Sequence, residues 1–411
     1  MTRAILLWGR RSTVALAWPG LVLLVVLATW SRDGWQTEWD WAVSWGASGT
    51  ILLGPVIAGL VAHDRAWRHA PTLLLMEQTS PRGRLAALAL PAAAAVLGAL
   101  AWSAGIVPVG VRLVRHGAVA ARADVIVPVA VSVTAVVVAA AFVGFAIGSL
   151  QRNRAAGPIA ALAVYAVFAL SPRVELMGLF QAGGSLSTLV GVAVSPAWTL
   201  GHVAAHLGLA VGGALLGVAV VGGPSTLRRG TVALAVVPVI AGLVLFHQLK
   251  QDGSRVLVEE AMSCTGERPQ VCAPARAPDL VDAAAVSLTD AYAQLADSGL
   301  PLQGRYVYDR GLRDNRVPDD AGVLSADPGQ VTGGRLSRAD VLETLVVPRR
   351  CLAYAANEPP EDLLAAQAVV ADWVGARLDG QVEGPAPAEV VVAYVLLSDC
   401  EPDRGPVLVV G

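Results

Sequence analysis

Apolar residues gather into long uncharged runs through residue 249 and then give way to mixed sequence rich in charge and proline. A bilayer core about 30 Å thick takes about 20 apolar residues in helical form, because no water is present there to satisfy the backbone. Runs of that kind lie at 13–30, 44–62, 85–109, 125–150, 200–221 and 231–249. The run at 157–170 is uncharged too, but its 14 residues reach only about 21 Å as a helix. The pattern predicts seven spans, the fifth of them short, in a transmembrane domain over residues 1–249. Ala28-Thr29-Trp30 is a poor small-residue cleavage site, so the first run reads as a span and not as a removable signal.

From residue 250 the periodicity is that of a water-soluble fold. Amphipathic spacing predicts helices at 279–297, 338–345 and 361–378, the second opened by Ser337 with Asp340 three residues on. Candidate strands lie at 305–308 and 390–397, the second rich in β-branched residues, and Asp, Gly and Pro mark 309–334 as a long loop. The expected fold class is therefore an α-helical polytopic membrane protein with a C-terminal α+β domain over residues 250–411.

Charge separates the same two halves. Residues 1–249 carry 16 Arg, no Lys and 7 acidic residues, a formal +9, whereas residues 250–411 carry 14 basic and 25 acidic residues, a formal −11. Cytoplasmic loops are enriched in basic residues. With the N-terminus inside, the cytoplasmic segments hold 11 arginines and the outer loops 5. This predicts a multi-pass protein of the plasma membrane with a cytoplasmic N-terminus. Seven crossings then place the C-terminal domain outside the cytoplasm. Trp30, Trp35, Trp39, Trp41 and Trp45 surround the first outer loop and read as an interfacial aromatic belt.

The loop after the second span carries the most information. Thr72–Gln78 is short, mostly apolar and flanked by charge, as a helix lying on a membrane surface would be. Its order, Thr72-Leu73-Leu74-Leu75-Met76-Glu77 followed by Thr79-Ser80-Pro81-Arg82-Gly83-Arg84, resembles the loop between spans two and three in permeases of type-2 ABC exporters. Pro71 stands where that family has Gly. A second similarity is the broken apolar segment 171–199, which ends Ser195-Pro196-Ala197-Trp198, where those permeases place half-height outer-leaflet helices. The resemblance covers roughly residues 1–225 and implies a six-span exporter-permease core with an added seventh span. It implies that 72–78 is a coupling helix docked on a cytoplasmic ATPase, with Arg82 and Arg84 contacting that ATPase or lipid phosphate. The run from Cys264 to Cys272, followed by Pro274, is also similar to the start of outer domains on some actinobacterial permeases of this class.

A P-loop needs Gly-Lys followed by Ser or Thr. The chain has one lysine, Lys250, between Leu249 and Gln251, so no P-loop is present. The resemblance then implies that ATP and its Mg ion belong to a separate ABC ATPase subunit, and no cofactor is expected in this chain. A second permease copy or a homologous permease is implied, together with membrane lipid; no nucleic-acid partner is expected. His202 and His206 share one face of the sixth span and form a candidate intramembrane polar site, read as hydrogen-bonded imidazoles in preference to a metal site.

Four cysteines allow three pairings. The arrangement favoured is Cys264–Cys272 with Cys351–Cys400, which loop entropy values at about 2.5 and about 4 kcal/mol. Zinc is the competing reading, but there is no Cys-x-x-Cys and no histidine after His247. The missing histidine also removes Ser-His-Asp and Cys-His catalysis from the outer domain. Asp297-Ser298-Gly299 reads as a helix stop, and Asp314, Asp319, Asp320 and Asp327 as a solvated loop. The function expected is the membrane subunit of an ATP-driven exporter of a hydrophobic, lipid-like or peptide substrate, not catalytic by itself. The alternative is a non-transport anchor presenting a ligand- or partner-binding domain, as a sensor or immunity protein does.

Overall fold

The computed structural model describes residues 10–31, 35–68, 86–115, 118–170, 190–219, 225–249, 254–308, 320–326, 333–346 and 361–399, with isolated positions at 71, 75, 83, 318 and 331. The chain divides into two compact units, Met1–Ser187 with Ala193–Val256, and Thr188–Val192 with Leu257–Gly411.

In the first unit, Ser12 opens helix α1 (Thr13–Trp30) by accepting from Ala15 N at 3.1 Å. Helices α2 (Trp39–Ser48) and α3 (Thr50–His63) run nearly end to end and continue into a π-helical turn, Asp64–Arg68. Then follow α4 (Ala89–Arg115), α5 (Ala123–Leu150), α6 (Ala156–Leu170), strand β1 (Val192–Val194, whose first residue is assigned to the second unit), α7 (Pro196–Ala219) and α8 (Ser225–Leu249). Ser195 starts α7: its Oγ accepts from Trp198 N and its carbonyl from Thr199 N, and Pro196 takes the first helical position, where no N–H is needed.

Over the described residues, each of the seven expected runs is largely helical. Among the described residues, five helical stretches are long and apolar enough to cross a membrane: Thr13–Trp30, Trp39–Arg68, Ala89–Arg115, Ala123–Leu150 and Pro196–Ala219. The other two are shorter, with apolar stretches at Ala156–Val167 and Ala233–Leu249. The unit has the helical architecture of a polytopic membrane protein.

Small residues set its packing. Helix α7 lies against α8 and α5, α3 lies between α5 and α6, and α1 lies on α4. Apolar side chains gain little from leaving lipid, so close backbone contact takes the place of a hydrophobic driving force. Gly144 and Gly148 of α5 supply it. A Cβ at these positions would fall 2.3 Å from Ala58 O and 2.6 Å from Ala62 O of α3. Ala58, Ala62, Ala66, Ala140, Ala156 and Ala160 complete a buried seam among α3, α5 and α6.

The aromatic-belt expectation is corrected for part of the tryptophan cluster. Trp30 is 40% exposed, but Trp35 is fully buried and Trp41 nearly so. Trp35 packs with Ala42, Val109 and Leu113. The segment before α2 and the α4–α5 connection meet beside it: Trp39 N donates to Val119 O at 3.2 Å, and Asp40 Oδ1 accepts from Arg122 N at 2.9 Å. Protein, not lipid headgroup, surrounds the ring.

The second unit holds a four-stranded mixed sheet in the order β3 (Met262–Thr265), β4 (Gln270–Pro274), β5 (Arg305–Val307), β6 (Gly322–Val323), with β2 (Arg255–Leu257) preceding it in the chain. Strands β3 and β4 are antiparallel, and β4, β5 and β6 are parallel. The crossover from β4 to β5 is α9 (Pro278–Leu295), again begun by a proline. Helix α10 (Arg338–Val346) is capped as expected: Ser337 Oγ accepts from Asp340 N at 3.1 Å and donates to Asp340 Oδ2 at 2.7 Å. Helix α11 is Glu361–Leu378.

The expected strand at 390–397 is instead helix α12 (Ala388–Asp399). Its buried residues Val390, Ala393, Tyr394 and Leu397 follow helical spacing and pack toward α11. The β-branched composition misled because tertiary packing overrides so weak a propensity.

Candidate functional site

The residues that distinguish the first unit lie where α3 ends. Asp64 is fully buried, and both its oxygens are engaged by the first residue of α1. Thr13 N donates to Oδ2 at 2.6 Å and Thr13 Oγ1 donates to Oδ1. A carboxylate here also faces the positive end of the α1 dipole. Arg68 Nη1 donates to Thr13 Oγ1 at 3.2 Å, so the π-turn grips the start of α1 from two positions.

The next residue turns the other way. Arg65 is 4% exposed; its Nε donates to Ser149 Oγ at 2.8 Å and its guanidinium lies 5.0 Å from the Phe145 ring. Ser149 Oγ in turn donates to Phe145 O at 2.9 Å. Beyond α5, Arg154 stacks over Trp67 at 4.1 Å. Glycine at 148 permits this approach, since a Cβ there would stand 2.9 Å from Arg65 Cβ. Inserting one residue into a helix to make a π-turn is unfavourable in itself and often marks a functional segment. The consecutive side chains of Asp64 and Arg65, at the start of this turn, reach two different helices.

The loop leaving this turn is the expected coupling segment. Thr72, Leu73, Leu74, Met76, Glu77, Arg82 and Arg84 lie outside the described residues. Within the same stretch Leu75 is 65% exposed, an apolar side chain presented outward, whereas Gly83 is buried.

The histidine pair is where the sequence places it. His202 and His206 are 0% and 1% exposed on α7, with ring centroids 4.3 Å apart. Trp198 stacks on His202 at 4.7 Å, and Phe246 of α8 meets Trp198 and His202 edge-on. His206 Nδ1 lies 2.8 Å from His202 O. A carbonyl only accepts, so Nδ1 carries a hydrogen in this contact. His206 also borders an apolar recess of about 130 Å³ lined by Thr50, Pro55, Val136, Val143 and Val167 from α3, α5 and α6. Among the described residues no group of three His, Cys, Asp or Glu side chains converges as a metal site would require.

In the second unit Cys264 and Cys272 are bonded to each other and face one another across β3 and β4 with Cα atoms 4.0 Å apart. Cys351 and Cys400 lie outside the described residues. Ser298 of Asp297-Ser298-Gly299 accepts from Leu300 N at its Oγ and from Ala386 N at its carbonyl, and Gly299 has φ +75°. That is a turn after α9.

A buried phenol cluster joins three elements. Tyr292 (α9) donates to Gln303 O at 2.5 Å, which leaves its oxygen to accept from Tyr306 (β5) at 3.1 Å. Tyr394 (α12) stands beside Tyr306. Burial raises Tyr292 to about 12 and pushes Tyr306 and Tyr394 well above the usual phenol range. The sequence reading missed this cluster, and it missed the π-turn. A charged pair directly after an apolar run, Asp64-Arg65, and Gly144-x-x-x-Gly148 were the available signals.

No family model matches the chain, and no curated protein or solved structure is significantly similar to it.

Proposed function

We propose that this chain is the membrane-spanning permease subunit of an ABC exporter, driven by ATP hydrolysed on a separate subunit. The observation that supports the reading best is the double attachment at the mouth of the 69–84 loop. A loop that receives force must be fastened to the helices it moves, and Asp64 and Arg65 fasten this one to α1 and α5 in consecutive residues. Displacement of the loop by a docked ATPase would then pull on α1 and α5 together, and on α3 itself. Glycine-mediated contact of α3 with α5 carries the displacement inward toward the apolar recess beside His206. The cargo is a hydrophobic, lipid-like or peptide molecule. Those side chains suit such surfaces and offer no fixed charge to a polar solute. A second permease copy completes the pathway, the N-terminus is cytoplasmic, and the second unit lies outside.

A simple anchor would need no such fastening. The readings part at Leu75→Cys. This position should crosslink to the P-loop ATPase encoded beside it, with a yield that changes on adding ATP. Arg65→Ala should keep the crosslink but lower substrate-stimulated ATP hydrolysis at least about tenfold, since a transmission step worth more than about 1.4 kcal/mol is lost. Failure to capture an ATPase whose expression is confirmed would return the chain to the anchor reading.

A further inference from the structure

The bond between Cys264 and Cys272 is asymmetric, and the asymmetry has a chemical direction. Cys264 lies on the edge strand β3 and is exposed, whereas Cys272 lies on β4, between β3 and β5, and is fully buried. Strand β5 places Arg305 beside the buried sulfur, with Nη2 donating to Cys272 Sγ at 3.5 Å. Thiol–disulfide exchange is governed by which sulfur the incoming thiolate can reach and by how well the other sulfur leaves. Access selects Cys264 for attack. The guanidinium favours Cys272 as the leaving thiolate, because a neighbouring cation stabilises that anion.

We infer that this disulfide is a thiol-exchange site, attacked at Cys264 and released at Cys272, and not only a staple of the outer unit. In the first step a thiolate forms a bond to Cys264 Sγ, the Cys264–Cys272 bond breaks, and its electron pair stays on Cys272 Sγ beside Arg305. A second thiol then resolves the mixed disulfide. Two thiols are oxidised to one disulfide, and the cystine is reduced to two cysteines. Strand β3 is paired with β4 alone, so reduction removes the one covalent tie that adds to its ladder. The electron donor is either a low-molecular-weight thiol or a protein dithiol. Both use the same chemistry at the same exposed sulfur.

The test uses the full-length protein in detergent. Glutathione is added under anaerobic conditions, the reaction is quenched with acid, and free thiols are capped with N-ethylmaleimide. Cleavage after Glu267 separates the two cysteines for mass spectrometry. The expected early product carries glutathione on Cys264 and maleimide on Cys272. Glutathione on Cys272, an even split, or no adduct while a reference exposed disulfide exchanges would each overturn the inference. A parallel arm with reduced thioredoxin distinguishes the donors: faster reduction by the protein dithiol assigns that source, and faster reaction with glutathione the small thiol. Arg305→Gln should slow the exchange about threefold, because the leaving thiolate loses its neighbouring cation, and Arg305→Lys should restore it. An unchanged rate in Arg305→Gln removes the assisted leaving group. If that variant does not fold, the position of glutathione in the wild-type protein decides the matter alone.

Discussion

Individual side chains in this protein matter most where burial changes their chemistry. The phenol cluster of Tyr292, Tyr306 and Tyr394 is the clearest case. Burial disfavours phenolate, so in the folded protein these groups keep their protons past the ordinary range, Tyr292 to about 12. The consequence for stability has a definite sign. Below about pH 10 the phenols are neutral in both states and the full stability is present. Above it the unfolded chain ionises first, and stability falls as pH rises toward the folded values. The detergent-solubilised protein should therefore lose thermal stability steeply between about pH 10 and about pH 12, by up to about 1.4 kcal/mol per pH unit for each such group. Tyr306→Phe removes the hydroxyl that donates to Tyr292. It should cost about 1 kcal/mol at neutral pH and flatten the alkaline decline. Unfolding followed by circular dichroism across that range checks both. A variant as steep as wild type would show that the cluster is not what titrates.

Elements were legible in the sequence wherever one rule governed them. Helix α11 has the bounds that its apolar spacing gave, because nothing in its tertiary setting contradicts that spacing. Helix α12 was misread because Val390, Val391 and Val392 satisfy a strand rule, while the stripe through Val390, Ala393, Tyr394 and Leu397 becomes decisive only once α11 is there to receive it. The π-turn was illegible for a different reason. Its side chains make their contacts with residues distant in sequence, Asp64 with α1 and Arg65 with α5, which no local pattern announces. The candidate site was accordingly half visible: the loop order was plain, and what fastens it was not. Helix contact makes its own prediction. Gly148→Leu must place a side chain where even a Cβ would stand 2.6 Å from Ala62 O, whereas Gly20 of α1 has nothing within 4 Å of an added Cβ. Overpacking of this kind costs about 1–3 kcal/mol or more. Heating followed by size-exclusion chromatography should show Gly148→Leu aggregating at lower temperature and Gly20→Leu matching wild type. Equal tolerance at both positions would remove the α3–α5 contact from the account.

At the scale of the whole molecule, the charge division has to be reconciled with a bilayer. Residues 1–249 are formally +9 and residues 250–411 formally −11. Arginine in short loops orients a membrane protein, whereas acidic residues in a long domain have little say. The orientation therefore rests on 11 arginines against 5 and on an odd number of crossings. The shorter helices α6 and α8 decide whether the number is odd: with both crossing it is seven, and with one of them lying in a single leaflet it is six. A membrane-impermeant maleimide settles this with one position from each side. Asp320 is exposed in the second unit and Leu75 is exposed in the loop beyond α3. Asp320→Cys should label in intact cells and Leu75→Cys only after lysis, each read as the gain over the wild type treated in the same way. Both positions labelling from the same side would mean that the crossings between them are even in number. The second unit would then share a compartment with the loop. A cytoplasmic result would also place the Cys264–Cys272 bond among reducing thiols, where exchange at Cys264 would run toward the open dithiol. An external result leaves the bond closed until a thiol donor is delivered to it.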